Sequence, residues 1–181
     1  MYTLRNAGRT NTCRAMLLYI LFQKAKTVVQ RKKVHRQGDR KMNAKKYGKF
    51  TVDTQIPSYN EYINKCRGNK YNANSFKQNI EKIVGKYINE ACNRGELPVF
   101  DDTPCIISFT WYESKANRDV DNIQSGQKFI IDALRKYKII KNDGQKYVKQ
   151  TFHKVVRSDT GKTYVAVELL EYNPIEDIAV I

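Results

Sequence analysis

Residues 104–138 read PCIISFTWYESKANRDVDNIQSGQKFIIDALRKYK. The first nine are nearly continuously apolar and rich in β-formers. That is the pattern of a central strand covered on both faces. Residues 113–121 turn polar. From residue 122, Ile123, Phe129, Ile130, Ala133, Leu134 and Tyr137 recur at helical spacing, which predicts one amphipathic helix over 122–138. A buried strand followed closely by an amphipathic helix is the seed of a layered helix-on-sheet fold.

Downstream, Asn142-Asp143-Gly144 is a turn signal. Residues 146–156 and 163–171 read as two more strands, and Arg157–Lys162 between them reads as a hairpin connection. Upstream, residues 48–56 alternate apolar and polar until Pro57, which predicts a strand. Residues 57–74 are rich in Asn, Lys and Tyr and read as a loop. Asn74 or Ser75 is placed to cap a helix carrying Phe76, Ile80, Ile83, Val84, Tyr87, Ile88 and Ala91 on one face, and Arg94-Gly95 ends it. The expected order is β-α-β-α-β-β. This is an α+β single domain with a mixed sheet and two main helices over residues 46–172, plus a basic N-terminal extension (1–45) and a short tail (173–181).

A chain of 181 residues is one domain, or one domain and an appendage. With 41% hydrophobic residues, 12 Tyr and 7 Phe it is not a disordered chain. Its 33 Lys+Arg against 18 Asp+Glu give +15, which speaks for a polyanionic partner, either nucleic acid or an anionic membrane surface. The charge is uneven: residues 1–41 hold eleven basic residues and one acid, and the rest hold 22 and 17. The apolar run at 15–22 (AMLLYILF) is too short to span a bilayer, which takes roughly 20 residues. Arg5, Arg9 and Arg14 precede it, but Gln23-Lys24-Ala25-Lys26 offers no small-x-small cleavage site, which disfavours a signal peptide. A short amphipathic helix with a basic tail fits better, as does an extension upstream of a start at Met42. Cys13, Cys66, Cys92 and Cys105 show no metal-ligand or redox spacing, so reduced thiols in a cytoplasmic protein are expected. Neither His35 nor His153 has a nucleophile partner in view.

The chemistry lies in Arg118-Asp119-Val120-Asp121-Asn122, between the strand and the helix. In an extended segment residues two apart point the same way, so Asp119 and Asp121 can converge. Two carboxylates together repel unless a cation lies between them, and magnesium prefers such hard oxygen ligands. Asp143, in the turn after the helix, is a candidate third ligand. Lys128 and Asp132 stand at i and i+4, which allows an ammonium aimed at a phosphate and oriented by the acid. Each residue also has an ordinary reading: Asp121 as a helix cap, Asp119 paired with Arg118, Asp143-Gly144 as a plain turn, and Lys128–Asp132 as a surface ion pair.

R-D-V-D-N (118–122), K-F-I-I-D-A-L (128–134), N-D-G (142–144) and I-P-S-Y-N-E-Y (56–62) together resemble the Holliday junction resolvases of the RusA type, common in prophages. The resemblance covers residues 46–172. It implies a homodimeric, magnesium-dependent endonuclease that nicks a four-way DNA junction symmetrically. By motif position it makes Asp119, Asp121 and Asp143 the metal-binding carboxylates and Lys128 the essential lysine. Asp132 and Asn122 are then supporting residues, and Asn60 lies in a loop near the DNA. In that pattern the lysine follows the second Asp by four residues. Ser125 stands there, and Lys128 is seven on. Three added residues turn a helix by about 300°, which keeps Lys128 near the same face, and Gly126 can absorb an irregularity.

Lys65, Arg67, Lys70, Lys77, Lys115 and Arg118 are the expected phosphate contacts, and Tyr59, Tyr62 or Tyr71 could stack on an unpaired base. No small-molecule cofactor or membrane span is expected. The rival readings are a non-catalytic basic DNA-binding protein whose acids are structural, and a membrane-surface protein anchored by residues 15–41.

Overall fold

A computed structural model describes residues 19, 22–24, 45–68 and 70–173, with the side chains of 68 and 70–72 outside that description. The chain divides into two units, Met1–Lys45 with Asn173–Ile181, and Lys46–Tyr172. The readings made for 1–18, 20–21, 25–44 and 174–181 lie outside the described residues, as does residue 69.

The second unit is α+β. It runs β1 (Tyr47–Val52), α1 (Tyr59–Gly68), α2 (Lys70–Asn93), β2 (Cys105–Glu113), α3 (Val120–Ser125), α4 (Gln127–Lys136), β3 (Val148–Arg157) and β4 (Tyr164–Glu171). The sheet order is β1-β4-β2-β3. β4 is antiparallel to both β1 and β2, while β2 and β3 are parallel, so the sheet is mixed. The most apolar strand, β2, takes a central place with five consecutive buried residues at its start. That agrees with its sequence pattern.

Alternation sets the two faces. Phe50, Val167, Phe109 and His153 form one row across all four strands, and Val52, Val165, Trp111 and Val155 the next. These rows meet α2 through Ile80, Val84 and Ile88 and α4 through Phe129, Ile130, Ala133 and Leu134 in one core. Fully burying each large apolar side chain contributes roughly 1.5–3 kcal/mol. Gly85 on α2 lets Tyr137 lie on the helix: a Cβ there would fall inside the Tyr137 ring.

Three expectations change. Residues 57–74 are not a loop, because α1 fills most of the stretch and α2 starts at Lys70, not at Ser75. The cause is a capping box: Ser58 Oγ accepts from Glu61 N (3.2 Å), and Glu61 Oε1 accepts from Ser58 N (3.1 Å). The expected helix over 122–138 is two helices, divided at Gly126 by i→i−3 hydrogen bonds from Gly126 N to Ile123 O and from Phe129 N to Gly126 O. Finally, β3 and β4 do not form a hairpin. The link between them passes over the end of β2 and is pinned there by Ser158 N to Glu113 O (3.0 Å) and Ser114 N to Thr163 Oγ1 (3.2 Å). The apolar β2 satisfies its backbone on both sides, and its neighbours separate to supply the partners.

Candidate functional site

The polar segment after β2 leads into α3, whose N-cap is Asp119. Asp119 makes no capping hydrogen bond with its side chain. Its Oδ2 instead accepts from Asn122 Nδ2 at 3.4 Å. Asp119 and Asp121 are both exposed, and among the described residues neither enters an ion pair. The ordinary reading of Asp121 as a cap is therefore replaced: the cap position is Asp119, two residues earlier, and Asp121 stands in the first turn of the helix.

The start of α1 packs against this turn. Asn60 Nδ2 donates to Asn122 Oδ1 (2.5 Å), Tyr59 N donates to Ser125 Oγ (2.9 Å), and Arg118 Nη2 donates to Ile56 O (3.2 Å). Gly126 seats the contact, since a Cβ there would come within 2.9 Å of Ile56 Cγ2 and 3.2 Å of Pro57 O. Ile56–Tyr62 and Arg118–Asn122, some 60 residues apart in the chain, thus form one surface. Asn60 and Asn122 both belong to it.

Arg118 is not a free phosphate contact, nor does it pair with Asp119. Its Nη1 lies 3.0 Å from Glu113 Oε1 at the buried end of β2. Burial holds the Glu113 carboxyl above the usual range, and the guanidinium draws it partly back. Glu113 was not picked out in the sequence. A single acid closing an apolar strand carries no signal of the arginine five residues on.

The lysines divide into two groups. Lys77 on α2 lies 2.7 Å from Asp132 Oδ2 and 3.7 Å from Glu81, and the Asp132 carboxylate raises its ammonium above the ordinary value. Lys77 is thus an internal cation tying α2 to α4 rather than a free DNA contact. Asp132 is only 4% exposed, and its Oδ2, although close to Lys77, has no donor in hydrogen-bonding alignment. Lys128 Nζ lies 3.8 Å from the same oxygen with half of its side chain in solvent. The i,i+4 pair of Lys128 and Asp132 is formed as expected, and Lys77 is the closer partner. Lys65, Arg67 and Lys115 are exposed. The side chains of Lys70 and Tyr71 lie outside the described residues. Tyr62 packs edge-on to Phe129, with centroids 5.9 Å apart, while Tyr59 stays 37% exposed.

Asp143 is placed elsewhere. It faces Arg135 in the last turn of α4 at 3.8 Å. The parallel pairing of β2 and β3 explains this. The α3–α4 crossover starts where β2 ends and must carry the chain back to where β2 begins, so the turn with Asp143 sits at the opposite end of a strand about 26–30 Å long. Among the described residues no three Asp, Glu, His or Cys side chains stand together as a metal would require. The expected gathering of Asp119, Asp121 and Asp143 is corrected accordingly. The chemistry of the donors fits a hard cation at Asp119 and Asp121 but leaves it without the third carboxylate.

His153 stacks flat on Phe109 with centroids 5.0 Å apart. Trp111 Nε1 donates to its Nδ1 (3.1 Å), so the proton sits on Nε2, which donates to Gln127 Oε1 (3.1 Å). Burial lowers its pKa to about 4, and the ring is neutral at pH 7. The sequence showed a lone histidine in a strand. Its tie to the first residue of α4, next to Lys128, follows only from the fold.

Compared with known proteins, the sequence matches no family model and none of the curated proteins.

Proposed function

We propose that the chain binds branched DNA and nicks it as a structure-selective endonuclease, with Asp119 and Asp121 at the centre of the site. One observation carries this reading. Residues 56–62 and 118–122, two of the four segments that resemble the junction resolvases, meet through Asn60–Asn122 and leave two neighbouring carboxylates exposed and, among the described residues, without an ion pair. Asp119 has one local use, accepting from Asn122, while Asp121 accepts no side-chain hydrogen bond among the described residues.

The roles follow from chemistry. Asp119 and Asp121 offer oxygen ligands to magnesium, the cation such a nuclease would use to lower the cost of charge on phosphorus. Asp143 does not complete the set, so no step is routed through the ion. Lys128, near the start of α4, would counter charge on a phosphate, with Asp132 one turn along the same helix orienting its ammonium. Lys115, exposed four residues before Asp119 in the chain, would contact the backbone. A homodimer presenting two such sites would account for paired symmetric nicks.

The test is a synthetic four-way junction incubated with and without magnesium. Asp121→Asn should bind the junction as the wild type does and lose at least 100-fold in nicking rate, the scale of removing one electrostatic group from a charged transition state. Asp143→Asn should keep most of the nicking activity, because the fold sets it apart. Unchanged nicking by Asp121→Asn would remove the assignment. A second reading, a non-catalytic DNA-binding protein, is favoured by the missing third carboxylate. It predicts binding with no magnesium-dependent nicking in any variant.

A further inference from the structure

The positive side chains around α2 fall into two populations. On the side of α4, Lys77 and Lys136 are neutralised: Lys77 by Asp132 at 2.7 Å, and Lys136 by Glu81 at 2.7 Å. On the side of α1 lies a groove of about 570 Å3 lined by Lys65, Ser75, Phe76, Gln78, Asn79 and Lys82. No acid lines it. Among the described residues neither Lys65 nor Lys82 enters an ion pair, and both are exposed. Ser75, Asn79 and Lys82 follow one another at i, i+4 and i+7, so they form a single stripe along α2 facing Lys65 across the groove. Two ammonium groups, two amides and a hydroxyl line it with hydrogen-bond donors, and the half-buried Phe76 adds an apolar surface.

Phosphate oxygens are the ligand this arrangement suits, because every lining polar side chain can donate and no carboxylate stands among them. We propose that the groove between α1 and α2 seats the sugar–phosphate backbone of a nucleic-acid strand, with Lys65 and Lys82 each engaging a phosphate. Lys65 lies five residues along α1 from Asn60, about 7.5 Å along the helix axis. The proposal rests on the nucleic-acid part of the function above and not on cleavage.

The test uses the full chain without magnesium, so that nicking plays no part. Binding of a fluorescent 20-nucleotide single strand is followed against salt for the wild type, for Lys65→Gln/Lys82→Gln, and for Lys162→Gln, an exposed lysine of the β3–β4 link. The double variant should flatten the slope of log K against log salt by about 1.4 and bind roughly 25-fold more weakly at 0.1 M salt, as expected for two lost single-strand phosphate contacts. Circular dichroism should match the wild type. An unchanged slope would overturn the proposal. So would an equal fall for Lys162→Gln, which would mean diffuse attraction with no groove. Displacement of the strand by a nucleoside monophosphate at the same nucleotide concentration would make this a small-anion site and would also overturn it. If instead the groove result holds and the junction is never nicked, the groove stands and only the nuclease reading fails.

Discussion

His153 shows how one side chain can tie a strand to a helix and set a pH limit. It is stacked between strands, accepts from Trp111 and donates to Gln127, so its neutral form has a fixed tautomer and a protonated ring would lose the Trp111 bond. Its pKa falls from 6.5 to about 4 on folding. The unfolded chain therefore binds the proton more tightly than the folded one between these values. Stability from this group is complete above pH 6.5 and is lost as the pH falls toward 4. Each tenfold change in proton affinity is worth about 1.4 kcal/mol. That sets a ceiling of roughly 3 kcal/mol, which partial access to water reduces to about 1–2 kcal/mol. Urea unfolding of the wild type and of His153→Phe at pH 7 and pH 4.5 tests it: the wild type should lose about 1–2 kcal/mol more than the variant over that range. Equal losses would show that His153 does not titrate as described. Carboxylates change in both proteins and cancel in the comparison.

At the scale of elements, Gly126 decides how the site is assembled. It divides α3 from α4 and lets Ile56 and Pro57 approach the helix junction. Its φ of −61° is ordinary, so alanine would be tolerated by the backbone and even favoured by helix propensity. The obstacle is space, because two of the three nearest atoms are backbone carbonyl oxygens at 3.2 Å. Gly126→Ala should therefore cost about 1–2 kcal/mol, the lower range for overpacking, read as a lower urea midpoint. It should also loosen Asn60 from Asn122. A variant as stable as the wild type would show that α1 does not depend on this close approach. The Ser58–Glu61 capping box acts at the same scale: it starts α1, and α1 brings Asn60 to the acid pair.

For the whole molecule the governing quantity is charge. Most of the +15 sits in residues 1–41, which hold eleven basic residues and one acid. If this charge acts on a polyanion, it acts through counterion release and independently of DNA shape. A chain starting at Met42 should therefore show a shallower salt dependence of DNA binding than the full chain and keep the same preference for a junction over linear duplex. Loss of that preference would place shape recognition in the first 41 residues.

The strand–helix alternation was legible because burial periodicity is local: β2, β3, β4, the main apolar stripes and the Gly95 helix end, with its positive φ, each follow from a few neighbouring residues. The capping box was equally local, in Ser58-Tyr59-Asn60-Glu61, and was masked by a composition that reads as loop. Within the candidate site the carboxylate pair, Lys128 and Asp132 could be picked out from spacing alone. The sequence by itself determined the class of fold, the order of its four strands with two of the helical stretches between them, and the acid-rich turn after the central strand. Only the tertiary structure decided which strands are neighbours, that Lys77 and Arg118 are spent on internal acids, and that Asp143 lies at the far end of the sheet. Periodicity reports which face of an element is buried, whereas pairing direction and long-range charge partners depend on how separate elements meet, and no short stretch of chain encodes that.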